Sequence, residues 1–131
     1  MGFSLVIEAM INLKKPLIGH NCIYDWLYIY NQFIGELPET FADFTEEWSK
    51  YFPLTFDTKV LASQSKSFYN TTLGSMYERL TKEDKYKKSL RFKYDTANGF
   101  DAYAGSGLLS HYHEAAYDAH MTAVVFAQIL K

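Results

Sequence analysis

Cysteine is nearly absent from the 131-residue sequence, whose single Cys22 excludes an internal disulfide and a cysteine-rich zinc site. This cysteine usage fits a reducing, intracellular compartment. No apolar run reaches the roughly 20 residues of a membrane-spanning helix, and the opening segment lacks the basic start and cleavage site of a signal peptide. The formal net charge of −2 gives no overall attraction to phosphate. Nucleic-acid binding would therefore have to be local, through a basic patch or a bound metal.

Hydrophobic residues are plentiful at 48%, and aromatic residues make up 18%, which is typical of a chain that forms a packed core. Periodicity predicts helices over residues 3–13, 22–33, 41–51, 72–80 and 112–130. Strands are predicted over residues 16–19, 54–61 and 90–94, with loops over 63–70 and 95–109 and a solvated charged turn over 81–88. This order indicates an α/β fold. A parallel sheet of so few strands has unprotected edges, so we expect it to be incomplete in this chain.

The start of the last predicted helix carries two groups that could do chemistry, His113 and Asp118. A metal-bound water needs a carboxylate to hold the metal and a neutral imidazole to take its proton. This short stretch offers both. On spacing alone, however, a capping histidine and a solvent-facing aspartate are the favoured interpretation.

A second group of polar residues follows the first predicted strand, where ligands gather in open α/β sheets. Asp25 lies about one turn into a helix that is otherwise apolar. A carboxylate among apolar neighbours is costly unless it is paired or bound to metal. An exposed polar stripe explains Asp25 equally well. His20, just before this helix, is interpreted as a structural hydrogen-bonding group.

The second predicted strand also carries polar side chains, at Asp57 and Lys59. Asp57 either marks a functional edge of the sheet or caps a neighbouring helix, and Lys59 either contacts phosphate or projects into solvent. Three tyrosines near these motifs, Tyr24, Tyr103 and Tyr112, are expected to pack in the core.

Taken in order, these segments resemble the DEDDh 3′-to-5′ exonucleases, specifically the poly(A)-specific ribonuclease family with its related pre-piRNA 3′-end trimming enzymes. The matching segments include Lys-Pro-Leu-Ile-Gly-His-Asn-Cys-Ile-Tyr-Asp over residues 15–25, Phe-Asp-Thr-Lys over residues 56–59 and His-Glu-Ala-Ala-Tyr-Asp-Ala over residues 113–119. The resemblance covers nearly the whole chain. It implies an RNase H-like exonuclease fold, of which residues 1–131 would be a C-terminal segment.

The resemblance implies hydrolysis of RNA from its 3′ hydroxyl end, with two Mg²⁺ ions held by four carboxylates. It implies that Asp25 and Asp118 are metal ligands and catalytic residues, and that His113 is the general base. Further residues of the matching motifs are candidates for contacting RNA or supporting the metal ligands: His20, Asn21, Asp57 and Lys59.

The chain departs from this family at the first motif, an Asp-x-Glu on an early strand that supplies two of the four carboxylates. The only acidic residue before Asp25 is Glu8, which lies on a predicted helix. In the poly(A)-specific ribonuclease family an RNA-binding domain is inserted into the nuclease domain, and the chain is similar to the segment after that insertion. We therefore expect half of a two-Mg²⁺ site, inactive without the N-terminal half of the nuclease domain.

The partners implied by the resemblance are RNA 3′ ends, either poly(A) tails or pre-piRNA ends, the N-terminal half of the nuclease domain and a second copy in a homodimer. The implied location is intracellular, in the cytoplasm or nucleus, or at the mitochondrial surface for a relative of the membrane-anchored trimming enzyme. Two other hypotheses are a non-catalytic RNA-binding module on an RNase H-like shell and an assembly module that pairs through its open sheet edge. The joint presence of Asp25, His113 and Asp118 argues against a mere shell.

Overall fold

A computed structural model describes residues 2–65, 68–83 and 114–130. The elements in these ranges are α1 (Phe3–Leu13), β1 (Leu17–Gly19), α2 (Ile23–Phe33), α3 (Phe41–Tyr51), β2 (Thr55–Asp57), α4 (Thr58–Gln64), α5 (Leu73–Lys82) and α6 (Ala115–Ile129). They fall into two compact units, Met1–Asp57 and Thr58–Lys131. The mixture of helices with a small parallel sheet confirms the predicted fold class. In these ranges, no helix has the length and apolarity needed to cross a membrane.

The first unit contains the sheet, in which β1 and β2 run parallel and pair Leu17 with Thr55 and Gly19 with Asp57. The ladder begins with the N–H of Leu17, which donates to the carbonyl of Leu54 over 2.8 Å. Because the strands are parallel, their carboxyl ends meet at one edge of the sheet. Gly19 and Asp57 therefore lie side by side where the chain leaves each strand.

An aromatic core holds α2 and α3 together in this unit. Its buried members are Ile7, Tyr30, Phe44, Trp48 and Phe52. The indole of Trp48 stacks on Trp26 with ring centroids 6.0 Å apart, and its Nε1–H donates to Thr55 Oγ1 over 3.0 Å. Such aromatic pairs contribute about 0.5–1.5 kcal/mol beyond the area that they bury. Trp48 thus fixes both α2 and the start of β2.

The second unit is helical within the described residues, with α5 and α4 packed on α6. Its buried residues are Ala62, Met76, Tyr77, Leu80, Tyr117, Met121, Val124 and Val125. Met121 and Val125 stand four residues apart on one face of α6, as expected for a helix with an apolar stripe toward its core.

One predicted strand is partly wrong, and the loop predicted over 63–70 and the turn predicted over 81–88 each begin inside a helix. The strand predicted over residues 54–61 ends at Asp57, and the chain turns directly into α4. β-Branched residues such as Thr58 and Val60 favour a strand locally. In the structure Thr58 and Ala62 are both buried, and their spacing of four is that of a helix face. The strand predicted over 90–94, the loop over 95–109, most of the charged turn over 81–88 and residues 112–113 lie outside the described residues.

Candidate active site

The turn from β1 into α2 is held by the carboxylate of Asp57, the last residue of β2. Its Oδ1 accepts the N–H of Asn21 over 3.0 Å, and its Oδ2 accepts the N–H of Cys22 over 3.1 Å. Asn21 has φ 57°, in the left-handed region that asparagine tolerates better than most residues. Cys22 is the N-cap residue of α2. The structure therefore brings Asp57 together with Asn21 at the start of the helix that carries Asp25.

Gly19, the last residue of β1, lies so close to the side chain of Cys22 that a glycine is required there. A Cβ placed on Gly19 would lie 1.9 Å from Cys22 Sγ and 3.2 Å from Cys22 Cβ. Both distances are shorter than ordinary van der Waals contact. A glycine at this position lets the chain of β1 approach the first residue of the next helix.

The thiol of Cys22 is half-buried at the turn between β1 and α2, and its Sγ lies 3.9 Å from Asp57 Oδ2. Burial, followed by the nearby carboxylates of Asp57 and Asp25, raises the pKa of Cys22 to about 12. The side chain is therefore a neutral thiol at physiological pH.

Asp25 stands in the first turn of α2 with an exposed side chain, between the exposed residues Tyr24 and Tyr28. This exposure agrees with an exposed stripe, and the role of Asp25 as a metal ligand stays a prediction. A carboxylate in the first turn also interacts favourably with the helix dipole. The expectation that Tyr24 packs in the core is wrong, because the apolar face of α2 turns Trp26 and Tyr30 inward instead. Tyr103 and Tyr112 lie outside the described residues.

Asp118 stands in the first turn of α6, half-buried, next to the buried ring of Tyr117. Its backbone carbonyl accepts the hydroxyl of Thr122 over 2.8 Å. His113 lies outside the described residues, so its pairing with Asp118 stays a prediction. Asp25 belongs to the first unit and Asp118 to the second.

The other two candidates are both half-buried. His20 directly follows β1, whereas Lys59 lies in the first turn of α4 rather than on a strand as predicted. Within residues 2–65, 68–83 and 114–130, no three side chains of His, Cys, Asp or Glu come together in a way that could hold a metal ion.

His120 of the second unit received no role from sequence. His120 lies on α6 and contacts α5, with Nε2 3.5 Å from Tyr77 Oη and its ring stacked on Tyr117 at 6.4 Å. Burial lowers the pKa of His120, which favours the neutral imidazole. The spacing of three between Tyr117 and His120 on one helix was the available signal. The contacts describe a packing group that joins two helices.

Comparison with known proteins shows the family to which the chain belongs. Residues 1–126 match the model of the CAF1 family ribonucleases. The chain belongs to the CAF1 ribonuclease family. This CAF1-family chain is 36% identical over 129 residues to the poly(A)-specific ribonuclease PARN of Xenopus laevis and 35% identical over 128 residues to that of Homo sapiens. It is 30% identical over 136 residues to the pre-piRNA 3′-exonuclease trimmer of Bombyx mori.

These alignments cover nearly all of the CAF1-family chain but only part of each relative. They span 96% of this chain and 20% of the Xenopus protein, and 98% of this chain and 25% of the Bombyx protein. The matches confirm the resemblance to the poly(A)-specific ribonucleases and the trimming enzymes.

Proposed function

We propose that this chain supplies part of the active site of a Mg²⁺-dependent 3′-to-5′ exoribonuclease. The observation that carries the proposal is the place of Asp25. Its exposed carboxylate stands in the first turn of α2, which follows β1 at the carboxyl edge of the parallel pair. Functional sites of α/β sheets lie at that edge. The relatives are named as a poly(A)-specific ribonuclease and a pre-piRNA 3′-exonuclease, which supports RNA 3′ ends as the substrate.

The chemistry of the donors suits Mg²⁺, a hard cation that prefers carboxylate and water oxygens. In the proposed site Asp25 and Asp118 would hold Mg²⁺, and His113 would accept a proton from the attacking water. Two bound Mg²⁺ ions would stabilise the attacking and the leaving oxygens of the phosphodiester. The exposure of Asp25 leaves its oxygens accessible to a metal and to a phosphate.

Two carboxylates hold two divalent ions poorly, because such sites in proteins use more oxygen ligands. We therefore propose that two further metal-binding carboxylates come from an Asp-x-Glu motif, which does not occur in these 131 residues. It would lie on polypeptide that pairs with this chain. The 131-residue chain alone is then inactive and gains activity when that segment is present.

The roles of the two aspartates can be tested by replacing each carboxylate with an amide of the same shape. The chain is co-expressed with a segment that carries the family's Asp-x-Glu motif and assayed with Mg²⁺ on RNA ending in a 3′ hydroxyl. We expect Asp25→Asn and Asp118→Asn each to lower the rate by about 10²- to 10³-fold, because loss of a metal ligand costs several kcal/mol of transition-state stabilisation.

Asp43→Asn is the matched control. Asp43 is likewise an acid in the first turn of a helix, α3, and its carboxylate accepts the hydroxyl of Thr40 over 2.7 Å. The control variant should keep the rate of the unsubstituted pair. Equal activity of Asp118→Asn and Asp43→Asn would contradict the proposal.

A further inference from the structure

The structure assigns to Asp57 the role of a positioning residue, which fixes the start of α2, and with it Asp25, through the backbone N–H groups of two neighbours. This inference rests on the proposed function in one respect only, namely that Asp25 is a metal ligand. The geometry that carries it is independent of that function. Both oxygens of Asp57 accept backbone donors of the turn between β1 and α2.

An ionised carboxylate is the side chain that suits this arrangement. Hydrogen bonds from backbone N–H groups to an ionised acceptor are shorter and stronger than neutral ones. An amide of the same shape has one oxygen and one N–H₂ group, so it would accept one of the two donors and face the other with a donor. Oδ1 and Oδ2 are each engaged by a backbone N–H group, so the carboxylate of Asp57 orients the turn that leads to Asp25.

The hold on the turn is transmitted to Asp25 through the first turn of the helix. The carbonyl of Cys22 accepts the N–H of Trp26 over 3.1 Å, which closes the first turn of α2 around Asp25. Asp57 restrains the N–H side of Cys22, and Gly19 packs against its sulfur on the other side. A shift of Asn21 and Cys22 would therefore move the Asp25 carboxylate.

The pairing of β1 with β2 fixes the position of Asp57 relative to the turn that it restrains. Gly19 and Asp57 are register partners in the parallel ladder, so the carboxylate that holds the turn is fixed relative to the strand from which the turn departs. Misplacement of a reacting group by about 1 Å can cost 10²-fold in rate. Substitution of the groups that orient metal ligands typically costs about 10- to 100-fold in metal affinity or activity.

Cys22 is the only cysteine in the chain, so the reactivity of its thiol reports directly on the turn between β1 and α2. The rate of its alkylation by iodoacetamide, an uncharged reagent, is measured at pH 8 in the unsubstituted chain and in Asp57→Asn. Removing the negative charge of Asp57 lowers the pKa of the thiol and frees the turn, so we expect alkylation to be at least about tenfold faster. Asp43→Asn, which removes the same charge elsewhere in the unit, should leave the rate unchanged. Equal rates in Asp57→Asn and the unsubstituted chain would overturn the inference.

Hydrogen exchange of the unsubstituted chain tests the same point without relying on the folding of a variant. The amides of Asn21 and Cys22 are donated to Asp57, so we expect their exchange to be slowed at least about tenfold relative to unstructured peptide. Exchange of both amides at the unprotected rate would overturn the proposed restraint, whatever the variant does.

The positioning role has a readout that a merely structural role would not move, namely the Mg²⁺ concentration giving half-maximal activity. In the co-expressed pair we expect Asp57→Asn to raise this concentration about tenfold and excess Mg²⁺ to restore part of the rate. A variant that only reduced the amount of folded enzyme would lower the rate at an unchanged Mg²⁺ midpoint, and that result would overturn the inference. If Asp25→Asn leaves activity intact, the proposed function itself fails. If Asp25→Asn is inactive while Asp57→Asn keeps the normal midpoint, the positioning role alone fails.

Discussion

At the scale of single residues, three residues at or next to the turn between β1 and α2 have separate roles in the candidate site. Gly19 permits a close approach, Asp57 accepts two N–H groups, and Asp25 presents an exposed carboxylate. The resemblance in sequence named all three positions but gave no separate task to Gly19. Its requirement comes from the sulfur of Cys22, a contact that only the folded turn creates.

Replacing Gly19 with alanine should destabilise the first unit. The added methyl would meet Cys22 Sγ at 1.9 Å, and overpacking of this kind typically costs about 1–3 kcal/mol. We expect Gly19→Ala to lower the free energy of unfolding by that amount in urea titrations. Gly35→Ala is the matched control, because nothing lies within 4 Å of a Cβ at Gly35.

The same clash predicts coupling between Gly19 and Cys22. Removing the sulfur by Cys22→Ala in the Gly19→Ala background should recover part of the loss, leaving the 3.2 Å contact with Cys22 Cβ. In a double-mutant cycle we expect a coupling of at least about 0.5 kcal/mol. Strict additivity of the two changes would mean that the contact does not carry the cost.

The side chains of α2 show why residue orientation was harder to predict than residue identity. Sequence left Asp25 between a costly buried carboxylate and an exposed stripe, and placed Tyr24 in the core. The choice of face is made by Trp26 and Tyr30, which pack toward α3. A helix with aromatic residues on several faces does not reveal from periodicity alone which of them its neighbour will cover.

At the scale of elements, helices α1, α2, α3 and α5 were predictable to within a few residues because their apolar periodicity and their bounding residues agree. The error came at β2, where β-branched residues continue past the strand. Thr58 and Val60 favour an extended chain locally, yet the burial of Thr58 with Ala62 makes the segment a helix. Here tertiary packing overrides local propensity, and sequence periodicity over seven residues is too short to reveal it.

The packing of α6 yields a prediction at this scale. Met121 is 1% exposed at the centre of the second core, so truncation leaves a cavity in addition to the lost burial. We expect Met121→Ala to lower the free energy of unfolding by about 2–5 kcal/mol. Ala123→Ser, on the exposed face of the same helix, should change it by less than about 0.5 kcal/mol. A cost below 1 kcal/mol for Met121→Ala would contradict the assignment of this face to the core, and thermal or urea unfolding decides between the two results.

At the scale of the whole molecule, we expect both the sheet and the proposed metal site to be incomplete in this chain. The described residues contain one pair of parallel strands, and the proposed site takes two of its four carboxylates, Asp25 and Asp118, from this chain. Sequence could predict the fold class and the family because ordered motifs extend over nearly the whole chain. A meeting of Asp25, Asp118 and His113 stays a prediction, because it depends on packing between distant segments rather than on local pattern.

The most direct test of the central claim is the direction of RNA cleavage by the co-expressed pair. RNA labelled at its 5′ end is incubated with Mg²⁺, once with a 3′ hydroxyl and once with a 3′ phosphate. We predict a ladder of labelled products shortening from the 3′ end of the hydroxyl RNA only, and no ladder with Asp118→Asn. Internal fragments from both RNAs, or an equal ladder with Asp118→Asn, would contradict the assignment of this chain to a 3′-to-5′ exoribonuclease site.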